Sequence, residues 1–489
     1  MGGAWQHRAN NIGFAVLLLI VVLTPLPFGS NRPFFWFLFS VVLGLLLLLW
    51  AGSALASREA THNIVQVSFA NFRVEAGLAV ILGMWILFQA MPFAPEGWQH
   101  PVWATAEPLV SGTVATISAA PEATIDGWVR FMAYGATFFL AMQYGRNSRR
   151  ARQGLWAVAV AGVAYGLYGL IVQFGGYDSI LWYQRWDYHD SLTSTFINRN
   201  SYATYGGMTL ICCISLLTGM ERRLEIVAAR EGKSAYVDRL ATYALPLVVG
   251  VIVIMTAILL SQSRAGLLAT ALGFMAFYFC RRRRRRQEMR RKAERERRSQ
   301  LREGEDRRRR DRRGWRGIAP LALAGLMLIV SIISGAATWT RFDQDAVGDA
   351  GGRLAIYTAT LSAIGDRPWL GHGLGSYRTV FESYRSLALF KANVIDKAHN
   401  SYLDFAFEAG IPAFLMLLFL FGRIFYRCLL GIRRRQRDSV YSAVAVAAVV
   451  ILAVHSLIDF SLQIPAVTIL FMFLLGIGFS QSWSSRTAQ

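Results

Sequence analysis

The chain has 489 residues, 54% of them hydrophobic, and a formal net charge of +21. With a mean hydropathy of +0.36, this excludes a soluble multidomain protein, because repeated runs approach the ~20 apolar residues that cross a bilayer. More than half of the net charge sits in residues 281–316. It therefore marks membrane topology and lipid contact before it marks nucleic acid, and no aromatic platform for bases accompanies it.

Hydropathy predicts an all-α polytopic membrane protein of about 12 transmembrane helices, at roughly 12–28, 33–51, 75–91, 127–144, 154–174, 201–219, 241–260, 265–280, 317–339, 411–427, 439–458 and 464–481. The first two read as a hairpin joined by Asn31-Arg32-Pro33 and not as a removed leader. With the N-terminus inside, most of the Lys and Arg fall on the cytoplasmic side, including Arg146, Arg149, Arg150, Arg152, Arg222, Arg223, the 281–316 loop and Arg433 to Arg437. Both termini are then expected to be cytoplasmic. The expected organisation is residues 1–339 for spans one to nine, 340–410 as a large, partly helical periplasmic loop, and 411–489 for the last three spans. Cys212, Cys213, Cys280 and Cys428 lie in or beside apolar runs, so they read as buried hydrophobes and not as a disulfide or zinc framework.

Four outward segments hold the polar chemistry. The 92–126 loop is Pro-rich and acidic. The 175–200 loop is aromatic and ends in Asn198-Arg199-Asn200. A short turn, Ser261-Gln262-Ser263-Arg264-Ala265-Gly266, joins spans seven and eight. Arg264 there is either an interface anchor that snorkels or a site residue lining a cavity. The fourth segment, 340–410, is rich in aromatics, Arg and His. Arg353 is expected to open a helix, where its charge opposes the helix dipole unless an anion binds; a surface pair with Asp349 is the alternative. His372, within Gly371-His372-Gly373-Leu374-Gly375, is a turn residue or a site residue, and Arg378 can point to either side. His399 precedes Asn400 and Ser401, which can cap the following helix, and imidazole can take a proton near neutral pH. His455 and Asp459 read as a packing hydrogen bond. With no Ser-His-Asp pattern or metal-ligand spacing evident, several outward arginines and one outward histidine suit a diphosphate-bearing substrate without a metal or other cofactor.

These residues resemble the bacterial O-antigen ligase and O-antigen polymerase superfamily. The resemblance rests on Thr195-Phe196-Ile197-Asn198-Arg199-Asn200-Ser201-Tyr202-Ala203, the serine-flanked turn around Arg264, Arg367-Pro368-Trp369-Leu370-Gly371-His372-Gly373-Leu374-Gly375, Ala398-His399-Asn400-Ser401-Tyr402-Leu403 with Glu408-Ala409-Gly410-Ile411-Pro412, and His455-Ser456-Leu457-Ile458-Asp459-Phe460. It implies a GT-C-type glycosyltransferase of the inner membrane, acting on the periplasmic side. The donor is a glycan on undecaprenyl diphosphate; the acceptor is a lipid A core or a second lipid-linked glycan. The resemblance assigns Arg264 and Arg353 to the diphosphate and His399 to acceptor activation. Arg199, Asn200, His372, Arg378, Asn400 and Tyr402 are expected to bind substrate. A flippase for the same lipid-linked glycan, or a transferase onto protein, is the rival reading.

Overall fold

A computed structural model describes residues 2–55, 67–109, 112, 114–185, 188–303, 342–385, 389, 395–435 and 438–483. The expected ninth span, 317–339, and the part of the basic loop beyond Glu303 lie outside them. In chain order the described helices are α1 (Gly2–Leu23), α2 (Pro33–Leu55), α3 (Arg73–Gln89), α4 (Val102–Ala106), α5 (Pro121–Gly145), α6 (Ser148–Phe174), α7 (Arg199–Arg239), α8 (Leu245–Leu260), α9 (Arg264–Glu303), α10 (Phe342–Asp366), α11 (Tyr377–Phe381), α12 (Ser401–Ala409), α13 (Ile411–Arg434), α14 (Ser439–His455) and α15 (Pro465–Ser480). A two-residue antiparallel ribbon pairs β1 (Ser179–Ile180) with β2 (Tyr183–Gln184).

The helix boundaries follow local chemistry. The Asn147 side chain accepts the Arg149 and Arg150 N–H groups at 2.9 and 3.4 Å and so starts α6. Proline stands in the first turn of α5, α8, α13 and α15, where a missing N–H costs no hydrogen bond. Stretches Pro33–Leu55, Ser148–Phe174, Arg199–Met220, Leu240–Leu260 and Ile411–Arg434 are long and apolar enough to cross a membrane, and Arg8–Leu23, α14 and α15 are shorter apolar helices. The fold is that of an all-α, multi-pass membrane protein. On α2, Phe34, Leu48 and Leu49 are each more than two-thirds exposed, which an apolar solvent accommodates and water does not.

The most enclosed helix is α15, apolar around its whole circumference and buried along nearly all its length. A helix of that kind belongs at the centre of a bundle. It packs on α5 and α14 through small residues: Gly476 lies against the Phe138 carbonyl and Ala141, and Gly478 against Ala445 and the Tyr441 carbonyl. α7 and α9 pack beside them.

Above one end of this bundle lies a second, smaller core. Ile356, Ala363 and Ile364 of α10 meet Tyr377 and Phe381 of α11 and Phe407 of α12, with the Tyr377 and Phe381 rings stacked at 4.9 Å. The 92–126 segment joins it. Arg367 donates to the Trp98, Gln99 and Gly371 carbonyls at 2.7–3.0 Å. The side of the bundle carrying this second core is termed the loop face below.

Candidate functional site

The site is assembled around the start of α7. Asn198 caps that helix, its Oδ1 accepting the Asn200 N–H at 2.7 Å. The Asn200 Oδ1 in turn accepts the Ser263 hydroxyl at 2.7 Å. Ser263 does double duty, because its Oγ also accepts the Gly266 N–H at 3.1 Å and caps α9. Gln262 turns the chain with a φ of 54°. Arg264 is thereby delivered, exposed, as the first residue of α9 beside the start of α7. Arg199, the first residue of α7, lies with its guanidinium 5.3 Å from the Tyr188 ring centre, and its Nε is buried without a hydrogen-bond partner.

The third element is the segment before α12. Asn400 is its cap, accepting from the Tyr402 and Leu403 N–H groups at 3.0 and 3.2 Å. The same side chain donates through Nδ2 to the Leu457 carbonyl at 3.1 Å. Ser401 adds two ties to that turn, N–H to the Ser456 carbonyl at 2.9 Å and hydroxyl to the Asp459 carbonyl at 3.0 Å. Tyr402 donates its hydroxyl to the Ala453 carbonyl at 2.8 Å. The turn after α14 is fixed to α7 as well, since Thr204 donates to the Ser461 hydroxyl at 3.2 Å. One network thus runs from the start of α9 through α7 to the segment holding His399.

His399 has a φ of 54°, a conformation that costs a residue bearing a Cβ roughly 1–2 kcal/mol. Such outliers concentrate where geometry serves function. Its Nδ1 is 3.7 Å from the Asp459 Oδ1, an ion-pair distance longer than a hydrogen bond, with His399 39% exposed and Asp459 1%. The Phe460 ring stands edge-on to the imidazole at 5.2 Å. Burial by itself would raise the Asp459 carboxyl; His399, His455 and the Phe460 N–H outweigh it and hold the group below its ordinary value. An anionic Asp459 favours the tautomer with the proton on Nδ1, leaving Nε2 as the base. The expected packing pair of His455 and Asp459 is therefore only part of the arrangement. His455 Nδ1 faces the Ser461 hydroxyl at 3.2 Å, and Asp459 addresses His399. More than fifty residues of sequence separate those two, which is why linear spacing gave no signal of the pair.

Two expectations need correction. Arg353 does not open a helix: α10 starts at Phe342 and carries Arg353 in its interior, so the dipole argument fails there. It applies to Arg264. His372 was expected to bind substrate, yet it is 1% exposed and both ring nitrogens are engaged within the fold. Its Nε2 lies 3.0 Å from the Ala363 carbonyl, and its Nδ1 2.9 Å from His100 Nε2. The carbonyl fixes the tautomer: Nε2 donates, Nδ1 accepts from His100, and His100 Nδ1 accepts the Val102 N–H at 3.2 Å. Burial first, then neighbouring charge, pushes His372 down to about 4 and His100 down to about 3. The flanking glycines allow this approach. Gly373 has a φ of +102°, and a Cβ there would collide with Ser118.

Arg378 of α11 is exposed and lines a second part of the loop face with Asn198, Ser201, Lys397 and Phe460.

Residues 247–418 match the family model described as O-antigen ligase. The match supports the O-antigen ligase and polymerase superfamily for that segment of the chain. No curated protein matches the chain. The O-antigen ligase match spans Arg264, Arg353, His372, Arg378, His399, Asn400 and Tyr402. Arg199, Asn200 and Asp459 lie outside it, and the structure is what brings them to the same place.

Proposed function

We propose that the protein is a membrane glycosyltransferase that moves a surface glycan from undecaprenyl diphosphate to a sugar hydroxyl. The observation carrying this is the half-exposed His399, backed by buried Asp459, on the face where Arg264 and Arg199 begin their helices. The O-antigen ligase match at residues 247–418 supports a glycan-transferring role of that type.

In this reading His399 Nε2 accepts the proton of the acceptor hydroxyl as its oxygen attacks the anomeric carbon of the donor sugar. The bond between that carbon and the diphosphate oxygen breaks, and the lipid diphosphate leaves with the electron pair. Arg264 and Arg353 pair with the negative charge that grows on it, as a metal ion does elsewhere. Asp459 stabilises the imidazolium, which later releases its proton to solvent. Asn400 and Tyr402 position the histidine through their backbone ties. The acceptor is a lipid A core in a ligase and a second lipid-linked glycan in a polymerase. The site faces the periplasm of the inner membrane, with both termini cytoplasmic and residues 340–410 as the catalytic loop of a GT-C-like fold.

The test is reconstitution in liposomes with lipid-linked donor and candidate acceptors. A new glycosidic bond is expected. Translocation of an unaltered donor would make the protein a flippase, and a glycan appearing on protein would reassign the acceptor.

A further inference from the structure

A cavity of about 720 Å³ opens on the loop face, between the α1–α2 connection, α5, the start of α7, α11 and the turn from α14 to α15. Four cationic side chains line it: Arg32 beside the start of α2, Arg130 of α5, Arg378 of α11, and Lys397 two residues before His399. Asp396 adds one carboxylate, and Asn198 and Gln463 add amide groups. These cations come from four separate stretches of chain. Bringing like charges together costs free energy, more so beside an apolar bundle where the dielectric is low.

Aromatic rings hold two of them in place. The Arg130 guanidinium is 4.9 Å from the Trp36 ring centre, and that of Arg32 5.8 Å from Tyr183. Behind the cavity, Asp404 and Glu408 lie one turn apart on α12, both buried. Burial, then the neighbouring Glu408, pushes Asp404 up to about 7, and burial raises Glu408 as well. The negative charge of Asp404 is thus weakened near neutral pH, and the four cations outnumber the Asp396 carboxylate in the wall. The residues that the proposed mechanism places on the leaving diphosphate, Arg264 and Arg353, do not line this cavity.

We propose that this cavity is a second anion site, binding the diphosphate of a lipid-linked glycan through Arg32, Arg130, Arg378 and Lys397, apart from the site at Arg264. The inference rests on the proposed transferase function, in which two glycans must be present together. Four converging donors suit the several oxygens of a diphosphate better than a lone carboxylate. The cavity touches the reacting centre through Phe460, whose ring packs on His399. A lipid-linked glycan held there would present its sugars beside the imidazole.

The experiment uses the full chain in phosphatidylcholine nanodiscs, titrated with farnesyl diphosphate, farnesyl monophosphate and an oligogalacturonate in separate arms. Farnesyl diphosphate is expected to bind at two sites. Arg130→Gln and Arg378→Gln should each weaken one of them by roughly ten-fold or more, whereas Arg264→Gln weakens the other. Arg378 is exposed, so its substitution tests binding without disturbing the core. Arg378→Lys should restore part of the affinity.

Wild-type stoichiometry and affinity in both Gln variants would overturn the proposal. So would loss confined to the oligogalacturonate arm, which assigns the cavity to sugar carboxylates. The proposed function fails separately: diphosphate binding that depends on Arg130 and Arg378, in a protein that forms no glycosidic bond, refutes the transferase and leaves this anion site standing.

Discussion

His399 Nδ1 and Asp459 Oδ1 lie 3.7 Å apart across two turns that share no sequence neighbourhood. The ties made by Asn400 and Ser401 to residues 456–459 hold them so. Asp459→Asn keeps the shape but removes the charge that orients and stabilises the imidazolium. Transfer should slow by roughly 10²–10⁴-fold, the usual range for general-base assistance, with the protein still folded and inserted. Single-turnover assays with a lipid-linked donor measure this. A normal rate for Asp459→Asn would remove Asp459 from the mechanism, and normal polymer from a stably inserted His399→Ala variant would remove the base itself.

Arg264→Ala should lower the rate by ~10²–10³, the usual cost of deleting one donor to a developing oxyanion. Arg264→Lys should recover little of it, because a point charge does not reproduce a planar bidentate fork. Comparison of kcat with donor KM for both variants is the measurement. A change confined to KM would limit Arg264 to ground-state binding.

The His100–His372 pair predicts acid sensitivity. Both groups lie below the ordinary histidine value of 6.5 when folded, His372 at about 4 and His100 at about 3. As pH falls below about 6.5 the unfolded chain gains protons that the folded pair refuses. Their contribution is therefore complete above that pH and is lost progressively as pH falls toward 4 and 3. Thermal unfolding in detergent should show Tm dropping over this window, and the double variant His100→Leu/His372→Leu should flatten that limb. An unchanged acid limb in the double variant would assign the sensitivity elsewhere.

Asn400 can be separated into its two duties. Asn400→Ala loses both cap and tie and should cost about 1–2 kcal/mol. Asn400→Asp keeps an oxygen for the Tyr402 and Leu403 N–H groups but cannot donate to the Leu457 carbonyl. It should retain most of the stability while losing transfer activity, because His399 is no longer held against Asp459. Equal activity in Asn400→Asp and wild type would show that the tie is dispensable.

The all-α character and the five described stretches long and apolar enough to cross a membrane were legible because each apolar run must bury or face lipid along its whole length, a property of local composition. The cap at Asn400 was equally local. What escaped was non-local. Asp459 sits four residues from His455, so pairing within one turn was the obvious reading, and the contact with His399 depends on three hydrogen bonds from another segment. His372 looked available because glycines flank it, and those glycines admit the 118–119 backbone that encloses it. Arg353 looked like a helix start because Gly351-Gly352 resembles a break, and α10 runs through the pair. Arg32 and Arg130 gave no motif at all; one lies in the connection before α2 and the other within α5, one turn after Asp126.

α9 begins at Arg264 and reaches its run of arginines at Arg281. At 1.5 Å per residue the intervening stretch rises about 26 Å, close to the ~30 Å hydrocarbon thickness of a bilayer. Charge at both ends of so short a stretch leaves the helix little freedom to slide along the membrane normal. In the proposed topology the depth of Arg264 would thereby be set from the opposite side of the bilayer, by the arginines that begin at Arg281. That level is the hydrocarbon boundary, where the diphosphate of the proposed lipid-linked donor would itself lie, so in the proposed reaction the two would meet without the lipid being lifted from its leaflet.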